Sequence, residues 1–308
     1  MITLNTEKQL VRIETWQDIA ERPDYIGNID PKLIKLDAII GSYVLSDPIP
    51  CGLSSCHQPH NKGYLVSTTS NLVTNIGNIC GKTHFLVDFQ ILRNKFNKDV
   101  RIKLQKEQLN AFISRIPGYQ EQLDHLRTDE YGADGADWVF RLVQKLKTPN
   151  SGVPTIIQQE LQRMMRSGNN AIVVKREATV AEFETQQALG GKKVKRPYYI
   201  EDMIGSLNGL SALRIENDLK KILVEDIQVG IKRISCMDID SAAEQSLSRE
   251  SKWVSEIEIK LERAENALRY GRQLLEKSNL SKLNKLLNDK EDIKSFKTFL
   301  NDLPERNM

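Results

Sequence analysis

The chain has 308 residues, and its 44 Lys and Arg against 41 Asp and Glu leave a net charge of only +3. That balance excludes a nucleic-acid binder recognisable from totals, so only local clusters of charge can argue for one. No run of about 18 apolar residues occurs, so no membrane-spanning segment is expected, and Met1-Ile-Thr-Leu-Asn-Thr-Glu-Lys8 lacks the apolar core of a signal peptide.

The length suits two or more domains. Residues 1–50 are punctuated by Pro23, Gly27, Asp30-Pro31 and Asp47-Pro48. Leu10, Ile13 and Trp16, at spacings of three, predict a helix over Glu7–Ala20, and the apolar run Leu33–Ile40 predicts a short buried helix. Trp16 and Tyr25 are expected to pack in the core.

The chemistry concentrates in residues 51–84. The chain has four cysteines and four histidines, and six of these eight fall here: Cys51, Cys56, His57, His60, Cys80 and His84. A structural zinc site needs four thiolate or imidazole donors in a tetrahedron, usually as two close pairs. Cys51 and Cys56 flank a loop that holds Gly52 and two serines. Tyr64–Val66, a Ser/Thr/Asn turn and a second short run predict a β-hairpin. Cys80 and His84 stand four apart, on one face of a helix, with Gly77 and Gly81 at its entry. The expected Zn2+ ligands are therefore Cys51, Cys56, Cys80 and His84, with His60 as the alternative to Cys51 or His84. A loop pair, a hairpin and a pair at a helix start resembles the treble-clef group of zinc fingers over residues 51–85. The first pair is spaced by four residues, where two is usual for that group. The resemblance implies a zinc-stabilised hairpin-and-helix module.

Other chemistries fit the same residues less well. Gly77-Asn-Ile-Cys-Gly81-Lys82-Thr83 is one residue short of the Gly-x4-Gly-Lys-Ser/Thr phosphate loop, with Ile76 where the first glycine belongs. A His-Asn-His-type nuclease would use His57, His60 or His84 as base and metal ligands, but the order of these residues departs from that pattern. A catalytic zinc keeps an open position and a nearby carboxylate, and no Asp or Glu lies between Pro50 and Phe85. Three cysteines spaced as metal ligands, with Cys236 apart, fit a reducing cytoplasm and not a disulfide framework.

From Lys82 to Ile116 there is no Gly or Pro, which predicts one long helix ending at Pro117-Gly118. Arg93, Lys95, Lys98, Arg101, Lys103 and Lys106 lie on it as either a phosphate-facing stripe or a solvated face. A second helix, a turn at 131–136 and a helix carrying Trp138, Phe140, Leu142, Val143 and Leu146 lead to a boundary at Pro149–Gly152. Next come a helix over Pro154–Met165, a strand at Ala171–Val174, and a helix through Ala188 opened by a Thr179-x-x-Glu182 capping box. A basic loop follows, with Lys192, Lys193, Lys195 and Arg196 beside Tyr198 and Tyr199. This order resembles a small winged-helix unit, whose wing touches nucleic-acid phosphates without reading sequence. The remainder is helical. Ile257, Leu261, Ala264 and Leu268 step by 4, 3 and 4 as in a coiled coil, until Gly271, and Ile293, Phe296, Leu300 and Leu303 form a last amphipathic stretch. Packing within the chain and self-association both account for these faces.

The expected fold is mainly α, with a small zinc-stabilised β-hairpin/helix module and a helical C-terminal half. The expected domains are 1–149 (zinc module 51–85, long helix 82–116), 150–205 (winged-helix-like, with the basic loop) and 206–308 (helical bundle or short coiled coil). The expected function is a zinc-binding, nucleic-acid-associated accessory protein without catalytic activity. The alternatives are a zinc-finger module for protein interaction or self-association, and a His-Asn-His-type nuclease.

Overall fold

The computed structural model describes residues 1–128, 134–189 and 195–305. The chain is mainly α with a small antiparallel β part. It forms two compact units, residues 1–112 with 237–254 and residues 113–236 with 255–308. Among the described residues, no helix is long and apolar enough to cross a membrane.

The first unit holds a five-stranded sheet in the order β2-β1-β3-β4-β5, from β1 (Ile2–Asn5), β2 (Leu10–Ile13), β3 (Leu36–Pro50), β4 (Pro59–Thr68) and β5 (Val73–Gly77). Every pairing is antiparallel. The expected hairpin is thus the edge of a larger sheet. The helix expected over Glu7–Ala20 is not formed: Leu10–Ile13 is a strand, and only Gln17–Ala20 is helical (α1). A turn in which Thr6 Oγ1 donates to Gln9 O at 2.7 Å folds this segment back on β1, where Ile2 pairs with Ile13. Leu10 and Ile13 fall on opposite faces of that strand, so it is the pairing with β1, not their spacing, that sets the structure here. The helix expected over Leu33–Ile40 is not formed either: β3 begins at Leu36, and Leu33 before it is exposed. The β-branched and aromatic residues of β3 favour a pleated surface, and β1 and β4 flank β3 on both sides.

Leu65 and Val66, neighbours on β4, belong to different apolar clusters, as the alternation of a strand requires. Leu65 joins Ile2, Ile19 and Tyr43, with Trp16 and Tyr25 packed against them. Val66 joins Cys51, Leu53, Ile76, Phe89 and Phe96. This second cluster positions the cysteines.

Helix α2 (Asn78–Arg127) starts at the end of β5 and runs beyond the expected limits, through Pro117. Ile116, Tyr119, Leu123 and Leu126 are buried along one stripe there. That packing offsets the hydrogen bond that the proline removes. The helix is interrupted at Leu86, whose φ of 45° and ψ of −121° are not helical. The chain beyond the break returns over the first turns. Arg93 Nη1 donates to Asn78 Oδ1 at 2.7 Å, and the Phe89 ring covers Gly81. The basic residues of α2 are largely committed within the first unit. Lys98 and Arg101 pair with Glu244, Lys103 donates to Asn5 and Thr6, and Lys106 donates to Asp240 O at 2.8 Å. Glu244 opens α7 (Glu244–Ser255), whose Trp253 meets Phe112 edge-on at 5.9 Å.

The second unit contains α3 (Ala136–Lys147), α4 (Thr155–Ser167), β6 (Ala171–Glu177), α5 (Val180–Leu189), β7 (Tyr199–Ser206), α6 (Val229–Ser235), α8 (Ile257–Leu274), α9 (Lys277–Leu280) and α10 (Lys290–Asn301). The capping box forms as read: Thr179 N and Oγ1 both donate to Glu182 Oε2 at 2.8 Å. β6 and β7 pair antiparallel across α5. Ile257, Leu261, Ala264 and Leu268 are buried inside the same chain, where α8 packs on α3 and on the wide-turn π-helix Lys220–Gln228. Gly271 does not end that helix. It is the point of closest approach to α3, because a Cβ there would stand 2.1 Å from Val139 Cγ1. In α10, Phe296, Phe299 and Leu300 are buried, while Ile293 is largely exposed.

Candidate metal centre

Three elements deliver one thiol each. Cys51 follows the last residue of β3 and is fully buried. Its N–H donates to Gln58 O at 3.2 Å, and the next amide, Gly52 N, donates to Asn75 O at 2.9 Å. That second bond lays the chain flat against β5, and only glycine fits there, since a Cβ on Gly52 would stand 2.1 Å from Thr74 Oγ1. Cys56 sits in a tight turn, its N–H donating to Leu53 O at 3.0 Å. Cys80 lies in the first turn of α2. The Cys51, Cys56 and Cys80 Sγ atoms all lie within 4.8 Å of one another, and Cys56 Sγ is 3.1 Å from Cys80 Sγ.

This donor set can hold a metal ion. Thiolates around one ion at a metal–sulfur distance of about 2.3 Å stand roughly 3.8 Å apart, within the 4.8 Å that spans the three Sγ atoms. All four cysteines are free, and Cys56 and Cys80 are half-buried at the edge of the apolar cluster. The hydrogen bond from Cys80 lowers the Cys56 thiol below its ordinary value, helped by a backbone bond at Gln58. Burial pushes Cys80 up to about 12, with the Cys56 hydrogen bond adding to it. An all-sulfur set favours borderline or soft cations over Mg2+ or Ca2+.

Three histidines surround the thiols without joining them. Among the described residues, the group that meets as possible metal donors is Cys51, Cys56 and Cys80. His84 places Nε2 3.4 Å from Ser55 Oγ, beside the turn that carries Cys56. His60 has both ring nitrogens engaged, Nε2 with Tyr43 Oη at 2.6 Å and Nδ1 with Gln58 O at 3.1 Å. His57 is exposed at a φ of 52°. No phosphate loop exists here, because β5 ends at Gly77 and α2 begins at Asn78 with nothing between them to wrap an anion.

Asn75, which the nuclease reading set beside the cysteines, instead braces the interior next to Cys51. It is fully buried. Its Oδ1 accepts from Tyr25 Oη at 2.7 Å, and its Nδ2 donates to Tyr43 Oη at 3.3 Å and Pro50 O at 2.9 Å. Burial raises both phenols, Tyr25 to about 12 and Tyr43 further, so both stay hydrogen-bond donors at neutral pH. Buried in a strand, the amide meets the rule that interior polar groups are hydrogen-bonded.

Of the four basic residues assigned to nucleic acid, Lys192 and Lys193 lie outside the described residues. Lys195 and Arg196 are exposed. The Arg196 guanidinium stands 4.8 Å over the Phe183 ring, which contacts Tyr198 at 6.3 Å. Helix α5 has no buried residue, and Tyr199 and Met203 on β7 are exposed. Elsewhere in the second unit, Gln120, Asp124, Arg127, Gln228, Lys232 and Ser235 rim a cavity of about 360 Å3. Arg127 is committed to Asp137 at 2.9 Å.

Compared with protein-family models, curated proteins and solved structures, the chain matches none. The functional assignment therefore rests on geometry.

Proposed function

We propose that this chain is a zinc-binding, non-catalytic protein that associates with nucleic acid through backbone contacts. The convergence of three thiols from a strand end, a turn and a helix start within 4.8 Å carries the reading. Zn2+ on Cys51, Cys56 and Cys80 would tie the start of α2 to the β3–β4 loop in the manner of a treble clef. His84 is the candidate fourth donor, since its Nε2 lies 3.4 Å from Ser55 Oγ, on the turn that carries Cys56. A structural role follows from the donors: no carboxylate in 51–84 can act as general base beside the ion. The metal's binding free energy then becomes folding free energy for the first unit.

Zinc content decides the metal half. The expected result is one zinc per chain, lost in Cys51→Ser, Cys56→Ser, Cys80→Ser and His84→Ala and retained in His60→Ala, with chelation lowering the melting temperature. A chain that takes up no zinc and melts identically with chelator refutes it. Nucleic-acid association draws support from Lys195 and from Arg196 stacked beside Phe183 on a segment that packs against little else. Its test is binding at two salt concentrations, with wild type beside a variant bearing Ala at Lys192, Lys193, Lys195 and Arg196. Affinity should fall steeply with salt and with the substitutions; a flat response to both refutes this half.

A further inference from the structure

We infer that Cys56 and Cys80 are also a redox pair, oxidised by a peroxide to a disulfide that excludes the metal. The inference builds on the reading of the three thiols as a zinc centre. Its basis is the asymmetry within the cluster. Cys56 and Cys80 Sγ are 3.1 Å apart, nearer than the roughly 3.8 Å of two thiolates sharing a zinc ion and about 1 Å beyond a covalent S–S bond.

Access and anchoring separate the three thiols in the same sense. Cys51 is fully buried and pinned by backbone bonds from its own amide and that of Gly52. Cys56 lies half-buried on a turn whose neighbours Ser54, Ser55 and His57 are exposed, and Cys80 is half-buried in the first helical turn. Peroxide reaches the pair and not the anchored thiol.

The chemistry balances without a further reactant. The Cys56 thiolate attacks one peroxide oxygen: an S–O bond forms, the O–O bond breaks, and the departing hydroxide takes a proton and leaves as water. The Cys80 thiolate attacks the resulting sulfenic acid; the S–S bond forms, the S–O bond breaks, and a second water leaves. Two sulfurs lose two electrons in total, and one peroxide gains them. A disulfide offers no thiolate to a metal, so the ion is left with Cys51 alone from the cluster and dissociates.

The test uses the full chain in a Cys236→Ser background, zinc-loaded and chelator-stripped, treated with a few equivalents of hydrogen peroxide. Zinc release is followed with a chromogenic chelator, and linkages are mapped by mass spectrometry without reduction. The expected result is one zinc released per Cys56–Cys80 disulfide formed, reversed by dithiothreitol, with the disulfide still forming in stripped Cys51→Ser. Zinc retained through the treatment, or oxidation to sulfinic acid without a Cys56–Cys80 link, overturns the pair and leaves the metal reading standing. A chain that binds no zinc yet forms this disulfide refutes the metal reading and supports the pair.

Discussion

Replacing Gly81 with alanine sets two effects of opposite sign against each other. In a helix interior, alanine is better than glycine by about 1 kcal/mol, so helix propensity alone forecasts a more stable protein. A Cβ at Gly81 would stand 2.4, 2.5 and 2.6 Å from Cζ, Cε1 and Cε2 of Phe89, where carbon atoms prefer about 3.5–4.0 Å. The ring has little room to retreat, because Phe89 is fully buried and meets Tyr64 edge-on at 5.8 Å. Overpacking costs about 1–3 kcal/mol. A clash with three ring atoms of a trapped side chain belongs near the top of that range, so the net loss should be about 2 kcal/mol. Urea unfolding of wild type, Gly81→Ala, Phe89→Leu and the double variant measures it. Gly81→Ala should lower the midpoint in the wild-type background and be neutral or stabilising beside Leu at position 89. The expected coupling between the two sites is about 2 kcal/mol. Stabilisation by Gly81→Ala in the wild type would refute the reasoning, since it would mean that the chain beyond Leu86 does not fold back on the first turns of α2.

Two further perturbations probe other parts of the molecule. Asn75→Ala strands the Tyr25 and Tyr43 hydroxyls and the Pro50 carbonyl in the interior, and should cost roughly 2–4 kcal/mol in chemical denaturation; a loss under about 1 kcal/mol would show that water replaces the amide. Glu182 is held at about 2, chiefly by Arg176 and then by Thr179. Because its folded value is depressed, its contribution to the β6–α5 junction is complete above the ordinary value of 4.5 and is lost as pH falls toward about 2. A carboxyl NMR titration should give a midpoint near 2 that rises in Arg176→Gln, and a wild-type midpoint at the ordinary value would contradict the ion pair.

The three thiols that meet were legible because ligand chemistry is written in residue type and short spacing. The capping box at Thr179 and the buried face of α8 were legible for the same reason: both are periodic or local. The first three strands were not. Ile2 pairs with Tyr43, and nothing within a few residues of Leu10 or Ala38 announces a partner that distant. The spacing of three at Leu10, Ile13 and Trp16 fits a helix, whereas a strand sends residues three apart to opposite faces; the pairing with β1 overrode that local pattern. The break at Leu86 left no mark either: no Gly or Pro stands there, and what accompanies it is the return of Phe89 onto Gly81. Pro117, the obvious breaker, lies inside the helix. Local rules gave way where packing of the surrounding stripe outweighed one missing hydrogen bond.

The first unit is discontinuous, and this bears on how the protein is made. Its sheet and the three clustered cysteines are all present by residue 112, yet Lys98, Arg101 and Lys106 take partners from residues 237–254, where Phe112 also meets Trp253. During synthesis, at roughly 5–20 residues per second, residues 113–236 emerge before that closing segment does. The nascent sheet therefore waits several seconds with one flank of α2 bare. A metal ion captured early by Cys51, Cys56 and Cys80 would hold the emerging fold together through that interval.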